Sequence, residues 1–188
     1  VILSGFSDAA VTVLGLYYKW QSFFFIPLCA LQTCIVPVLS YNYSRQSYDR
    51  CREIVRDSVL FSLALMAVGI FSFEVIPEAL IKVFSQSEEV LEIGKTGFRI
   101  IGASFAPAVF SLISPTIFQA IGKAGQSLFL SLFRQVICLV PIFWLFSFVG
   151  LGYTWLSFPI SEMLTTAIGL IWYYRDFVKR FSGKKTVS

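Results

Sequence analysis

The sequence predicts an all-α fold: a polytopic transmembrane helical bundle of about five spanning helices. Three observations point there. Five apolar runs occupy residues 14–39, 58–75, 97–121, 127–149 and 154–174, and each supplies roughly the 20 residues that carry a helix across a bilayer core of about 30 Å. Only 14% of the 188 residues are charged, against 56% hydrophobic and 17% aromatic, where a soluble domain carries about a quarter charged residues. The bases are also sorted by connection. Arg45, Arg50, Arg52 and Arg56 follow the first run, Lys123 the third, and Arg175, Lys179, Arg180, Lys184 and Lys185 the fifth. The connection after the second run is rich instead in Glu74, Glu78, Glu88, Glu89 and Glu92.

Positive-inside sorting puts the Arg45–Arg56 connection, Lys123 and a basic tail over 175–188 in the cytoplasm. With five spans all three fall on one side, so count and charge agree. The first span then enters from outside, and Val1 begins in mid-pattern, so residues upstream of this segment are expected. The net charge of +4 is thereby a membrane-orientation signal and no sign of a nucleic-acid partner. The chain has no His, which excludes His-based zinc sites and His general bases from this segment. Cys29, Cys34, Cys51 and Cys138 lack metal-ligand spacing and read as small buried hydrophobes.

In chain order, the first span ends at Ser40-Tyr41-Asn42-Tyr43-Ser44, which reads as a helix end and loop. The mixed-charge stretch 47–57 reads as a solvated helix start leading into the second span. Between Pro77 and Lys95 one short external helix or loop is expected. Pro107 and Pro115 predict a bent third span, because each removes a backbone donor. Gly122 and Gly125 mark the turn to the fourth span, and Gly150 and Gly152 the turn to the fifth.

At about 100° per residue, Ser22, Cys29, Thr33 and Ser40 share a strip of the first span, with Gln21 and Gln32 on a neighbouring one. Ser104, Ser111 and Ser114 lie close together on the third span, and Ser157, Ser161, Glu162, Thr165 and Gly169 share a face of the fifth. The second span carries few such groups. It is therefore placed toward lipid, and spans one, three and five toward protein or a cavity. Small residues at this spacing also serve simply as packing surfaces.

Glu162 is the sharpest functional candidate. It lies about 12 Å into its span, and an intramembrane ionisable group is expensive and a functional candidate by default. Arg134, with Gln135 beside it, enters the adjacent antiparallel span from the other side, within about 10 Å of the same depth. A structural Arg134–Glu162 pair and a transport role both fit. Tyr41 and Asn42 sit at the cytoplasmic mouth, where Asn also serves as a helix cap. No paired acids, Ser–Lys dyad or His ligands suggest an enzyme, and no ring of like charges suggests a channel filter.

The run from Leu14 to Pro27 (LGLYYKWQSFFFIP), with Ile35 to Tyr43 (IVPVLSYNY), resembles helix 8 of the multidrug and toxic compound extrusion (MATE) family. Phe118 to Ala124 (FQAIGKA) is similar to the end of the family's helix 10, Arg134-Gln135 to helix 11, and Trp155 to Glu162 (WLSFPISE) to helix 12. The resemblance implies most of one six-helix lobe of a twelve-helix transporter, from the end of helix 7 through helix 12. The family exports drugs and organic cations in exchange for protons or sodium ions, with no other cofactor. The implied substrate and cation pathway here comprises Gln21, Gln32, Tyr41, Asn42, Gln119, Arg134, Gln135 and Glu162. Implied partners are the drug or organic cation, the lipid bilayer, and an N-terminal lobe of the same chain. The implied location is multi-pass in a bacterial or archaeal plasma membrane. Ser44-Arg45 replaces the family's small Gly-Ala pair, and the stretch 97–121 lacks the carboxylate that one branch carries on helix 10. The resemblance therefore places the main coupling acid in the upstream lobe and gives Glu162 an auxiliary role. The alternative function within the same superfamily is a lipid-linked oligosaccharide flippase or polysaccharide exporter. That class would show a cluster of cavity arginines, and Arg134 alone lies deep in a span.

Overall fold

The computed structural model describes residues 3–178, and among them every regular element is helical. After a short turn at Leu3–Gly5, α1 runs Asp8–Ser44, α2 Tyr48–Val75, α3 Pro77–Lys82, α4 Glu88–Gly102, α5 Phe105–Ala120, α6 Ala124–Leu132, α7 Val140–Ser147, α8 Leu151–Trp155 and α9 Ser157–Tyr173. A π-helical stretch, Phe133–Leu139, joins α6 to α7 without a break, and a second, Tyr174–Val178, extends α9. Of the expected tail over 175–188, residues 179–188 lie outside the described ones.

Three helices are long and apolar enough to cross a membrane: α1, α2 and the continuous Ala124–Ser147. The α4–α5 pair, bent by 49°, makes a fourth if counted as one span. The stretch expected to form a fifth divides at Leu156, leaving α9 with 17 residues, at the short end of the spanning range of about 17–25.

α1 starts at an N-cap: Ser7 Oγ accepts from the Ala10 amide at 3.1 Å, satisfying one of the four orphan donors of a helix start. It continues through Pro27 and Pro37 and also through the expected loop at 40–44. There Asn42 Nδ2 donates to Val38 O (2.9 Å) and Ser44 Oγ to Tyr41 O (2.8 Å). Polar side chains read as loop formers bond back onto their own helix instead, and the turn shrinks to 45–47.

The expected bend in the third span is present, and it falls at residues 103–104, upstream of Pro107. Pro107 cannot donate to the carbonyl of Ala103, and its ring would crowd that oxygen, so α4 stops there. α4 also starts earlier than the apolar run, at Glu88. Its first turns are amphipathic, burying Val90, Gly94 and Phe98 while Glu88, Glu89 and Glu92 face out. α3 is pinned on both sides: Lys95 Nζ pairs with Glu78 at 2.7 Å, and Trp20 Nε1 donates to Leu80 O at 3.0 Å.

The core is aromatic. Phe73 stacks on Phe98 at 4.8 Å and meets Phe105 at 4.9 Å, while Tyr17 packs edge-on against Phe158 at 5.1 Å. Such pairs add about 0.5–1.5 kcal/mol each beyond area burial. α5 is central, touching α1, α2, α6 and α9.

The placement of the second span toward lipid is corrected. α2 buries Cys51, Val55, Ser58, Ser62, Met66, Gly69 and Phe73 along one face, while Leu60, Phe61, Val68 and Phe71 are exposed on the other. Small residues at helical spacing let α1 and α5 approach it. Conversely, the strip Ser22, Cys29, Thr33 and Ser40 of α1 is exposed in this lobe. Cys29 and Cys34 are thus exposed, and only Cys51 and Cys138 behave as buried hydrophobes.

Candidate functional site

The site begins with a local defect. Within Ala124–Ser147 the backbone widens to π geometry over Phe133–Leu139, immediately before Pro141. Pro141 has no amide to offer the Ile137 carbonyl, and a π turn is one way a helix absorbs that loss; such turns recur at functional sites. The widened stretch carries both Arg134 and Gln135.

Arg134 Nη1 lies 3.0 Å from Glu162 Oε1, and Ser111 Oγ donates to Glu162 Oε2. The ion pair is largely enclosed, with side-chain exposures of 23% and 14%. Buried Tyr17 of α1 is within electrostatic range of both charges. Three elements therefore meet here, the π stretch, α5 and α9. Thr166 Oγ1 ties α9 to α5 again by donating to Pro107 O at 2.8 Å. The carboxylate is thus bonded on both oxygens, and the guanidinium that supplies one of those bonds also balances its charge.

Gln135 points elsewhere. It lines an apolar cavity of about 170 Å³ with Leu14, Tyr18, Phe143 and Phe158. A larger cavity of about 430 Å³ lies between α1 and α5, lined by Cys29, Gln32, Thr33, Val36, Pro37, Thr116 and Gln119. It brings Gln32 and Gln119 to one space. Two of its hydroxyls are occupied by their own helices: Thr33 Oγ1 donates to Cys29 O at 3.0 Å and Thr116 Oγ1 to Leu112 O at 3.1 Å. Gln32 Nε2 is buried with no hydrogen-bond partner among the described residues. Pro37 supplies no amide to the Thr33 carbonyl, four residues back. The amides of Gln32 and Gln119 are the main polar side chains in its wall. Ser111 and Gln119 are two turns apart on α5, about 12 Å along its axis, so α5 links the cavity to the ion pair.

The remaining candidates stay apart. Gln21 is half-buried on α1 and lines neither cavity. Tyr41 carries the Arg45 guanidinium over its ring at 4.6 Å, and Asn42 bonds its own helix. Sequence reasoning missed a cluster at the end of the bundle, where Lys123 Nζ and Gln126 Nε2 (2.8 Å) both donate to Asp176 Oδ2. These bonds, the Lys123 one foremost, hold the Asp176 carboxyl down to about 2. The only signal for it was an acid just past an apolar run on an otherwise basic surface.

The MatE family model matches residues 1–145. The chain belongs to this family. MATE proteins are membrane transporters, and the lobe described above has their architecture. It aligns with the Vibrio cholerae MATE transporter VcmN in its bent form at TM-score 0.86 and 18% identity, over 95% of this chain and 41% of that one. It aligns with an outward-facing multidrug resistance MATE transporter at TM-score 0.84 and 16% identity, over 97% and 41%. A curated relative, the FAD transporter of Shewanella oneidensis, is 23% identical over 174 residues, 92% of this chain and 38% of its own length. The chain spans about two fifths of the length of these relatives.

Proposed function

We propose that this chain is the C-terminal lobe of a secondary antiporter that exports drugs and other bulky organic compounds against protons or sodium ions. The cavity between α1 and α5 is the observation that carries this reading. Its two amides, Gln32 and Gln119, set among the apolar Val36 and Pro37, fit a large, mostly apolar substrate with a few hydrogen-bonding edges. An N-terminal lobe of the same protein would supply the facing wall. The basic ends of the bundle would lie in the cytoplasm of a bacterial or archaeal plasma membrane. Both oxygens of Glu162 are already bonded, so we assign it to holding α9, α5 and the π stretch together, with the main coupling acid outside this segment.

One observation favours a second reading of the substrate. The lobe's deep carboxylate is neutralised by Arg134, so no unpaired acid among the described residues lines the large cavity. A neutral, amide-walled cavity admits an anionic heteroaromatic compound as readily as a cation. The name of the Shewanella oneidensis relative, FAD transporter, points the same way.

The test is efflux by the complete protein in vesicles, with a proton or a sodium gradient imposed separately. An ethidium-type cation and a flavin dinucleotide would be assayed side by side. Movement of the cation under one gradient supports drug antiport and names the ion, and flavin movement alone supports the second reading. No movement of either, in folded protein, overturns both.

A further inference from the structure

A third concavity, of about 130 Å³, lies between α2, α5 and α9, away from both cavities described above. Its walls are hydrocarbon and aromatic: Val55 and Val59 of α2, Phe110 and Ile113 of α5, Leu170 and Tyr173 of α9. Of the two hydroxyls in the lining, that of Ser114 donates to Phe110 O at 2.7 Å and that of Tyr173 belongs to the ring at the groove's mouth. Its floor is closed by a close approach of α5 and α9. A Cβ on Gly169 would lie 2.7 Å from Ser114 Oγ. Its outer wall is open, with Leu170 46% exposed.

The end of this groove is charged. Arg52 precedes Val55 by three residues and Val59 by seven, so the three form one stripe of α2. Arg52 acts electrostatically on Tyr173 across the mouth of the groove. Tyr173 itself is an amphipathic ring of the kind that sits at a membrane interface. The α1–α2 connection and the first turns of α2, which lead to the mouth, are basic in balance: Arg45, Arg50, Arg52 and Arg56 outnumber Asp49, Glu53 and Asp57.

We propose that the groove between α2, α5 and α9 is a binding site for an anionic glycerophospholipid, one acyl chain lying along Val55 and Val59 and the phosphate meeting Arg52. A hydrocarbon chain matches a groove walled by aliphatic and aromatic side chains. A phosphate matches a guanidinium at its rim. A bilayer supplies both parts on one molecule. The site is independent of the substrate that the transporter carries.

The experiment is native mass spectrometry of the full-length transporter, delipidated and then incubated with phosphatidylglycerol or phosphatidylcholine of matched chains. Wild-type protein is expected to retain phosphatidylglycerol preferentially. Arg52→Gln should lower that retention about fivefold, the value of one basic residue at an anionic surface. Val59→Trp, which fills the groove, should abolish it. Leu170→Trp does the same from the exposed wall and stands in should Val59→Trp fail to fold. Arg56→Gln, whose guanidinium pairs with neighbouring Asp57 at 2.9 Å, should leave retention unchanged. Equal retention of the two lipids by the wild type overturns the proposal. So does undiminished retention in the tryptophan variants, or an equal loss in Arg56→Gln, since each means diffuse attraction to a basic surface.

Discussion

Removing Arg134 should harm the protein more than removing the whole ion pair. In Arg134→Leu, Glu162 keeps its bond from Ser111 and loses its cationic partner at 3.0 Å. Stripping one member from a fully buried pair costs about 3–5 kcal/mol. Here the side chains are 23% and 14% exposed, so partial hydration of the stranded carboxylate reduces the expected cost to about 2–3 kcal/mol. The double variant Arg134→Leu/Glu162→Leu leaves no buried charge and costs Ser111 only an acceptor, for which the Ala108 carbonyl at 3.1 Å substitutes. Replacing a pair by hydrocarbon is often near neutral, so the double variant should lie within about 1 kcal/mol of wild type and exceed Arg134→Leu in stability by about 2 kcal/mol. The assay is thermal unfolding of the full-length protein in one detergent, all variants run together. A drop of roughly 2–6 °C is expected for the single variant of a transporter of full length, with most of it recovered in the double. A double variant no more stable than Arg134→Leu would refute the reasoning: the pair would then be a surface contact of little consequence.

Further outcomes follow from other parts of the molecule. Gln32→Leu and Gln119→Leu should narrow the range of exported compounds more than they lower the melting temperature; a uniform loss for all compounds with reduced protein levels would mark both as packing residues. Asp176→Asn should loosen the Lys123–Gln126 cluster by about 1 kcal/mol after discounting for solvent screening. Since the Asp176 carboxyl is lowered to about 2, its contribution is present above pH 4 and lost as pH falls toward 2, so the stability gap between wild type and variant should close over that interval. A gap constant from pH 6 to pH 2 would contradict this. Gly169→Ala should separate α5 from α9, because the new methyl meets Ser114 Oγ at 2.7 Å, at about 1–3 kcal/mol; an unchanged melting temperature would show that Ser114 simply turns away.

The bundle was legible in the sequence because lipid imposes a length on apolar runs. The encounter of Arg134 with Glu162 was legible because depth can be counted from either end of two antiparallel helices. The buried face of α2 was also written in the chain, as Cys51, Ser58, Ser62 and Gly69, but small residues say less than large aliphatic ones about which way a helix turns. Two features were not readable. The early start of α4 at Glu88 depends on amphipathic turns that rest on α3, and nothing in a hydropathy run anticipates that. The π stretch at Phe133–Leu139 shifts the helical register between Arg134 and Pro141. Gln135, one residue on from Arg134 and about 100° round the helix, is turned instead toward Phe143 and Phe158.

The neutrality of the Arg134–Glu162 pair also bears on how this half of a transporter responds to voltage. One unpaired charge carried through the membrane field is worth about 2.3 kcal/mol for every 100 mV. A guanidinium and a carboxylate locked together travel as a short dipole with no net charge. While they stay joined, the lobe can rock within the bilayer without the potential pulling on its interior. Under the proposed antiport, an electrical signature of the cycle would then originate outside this pair.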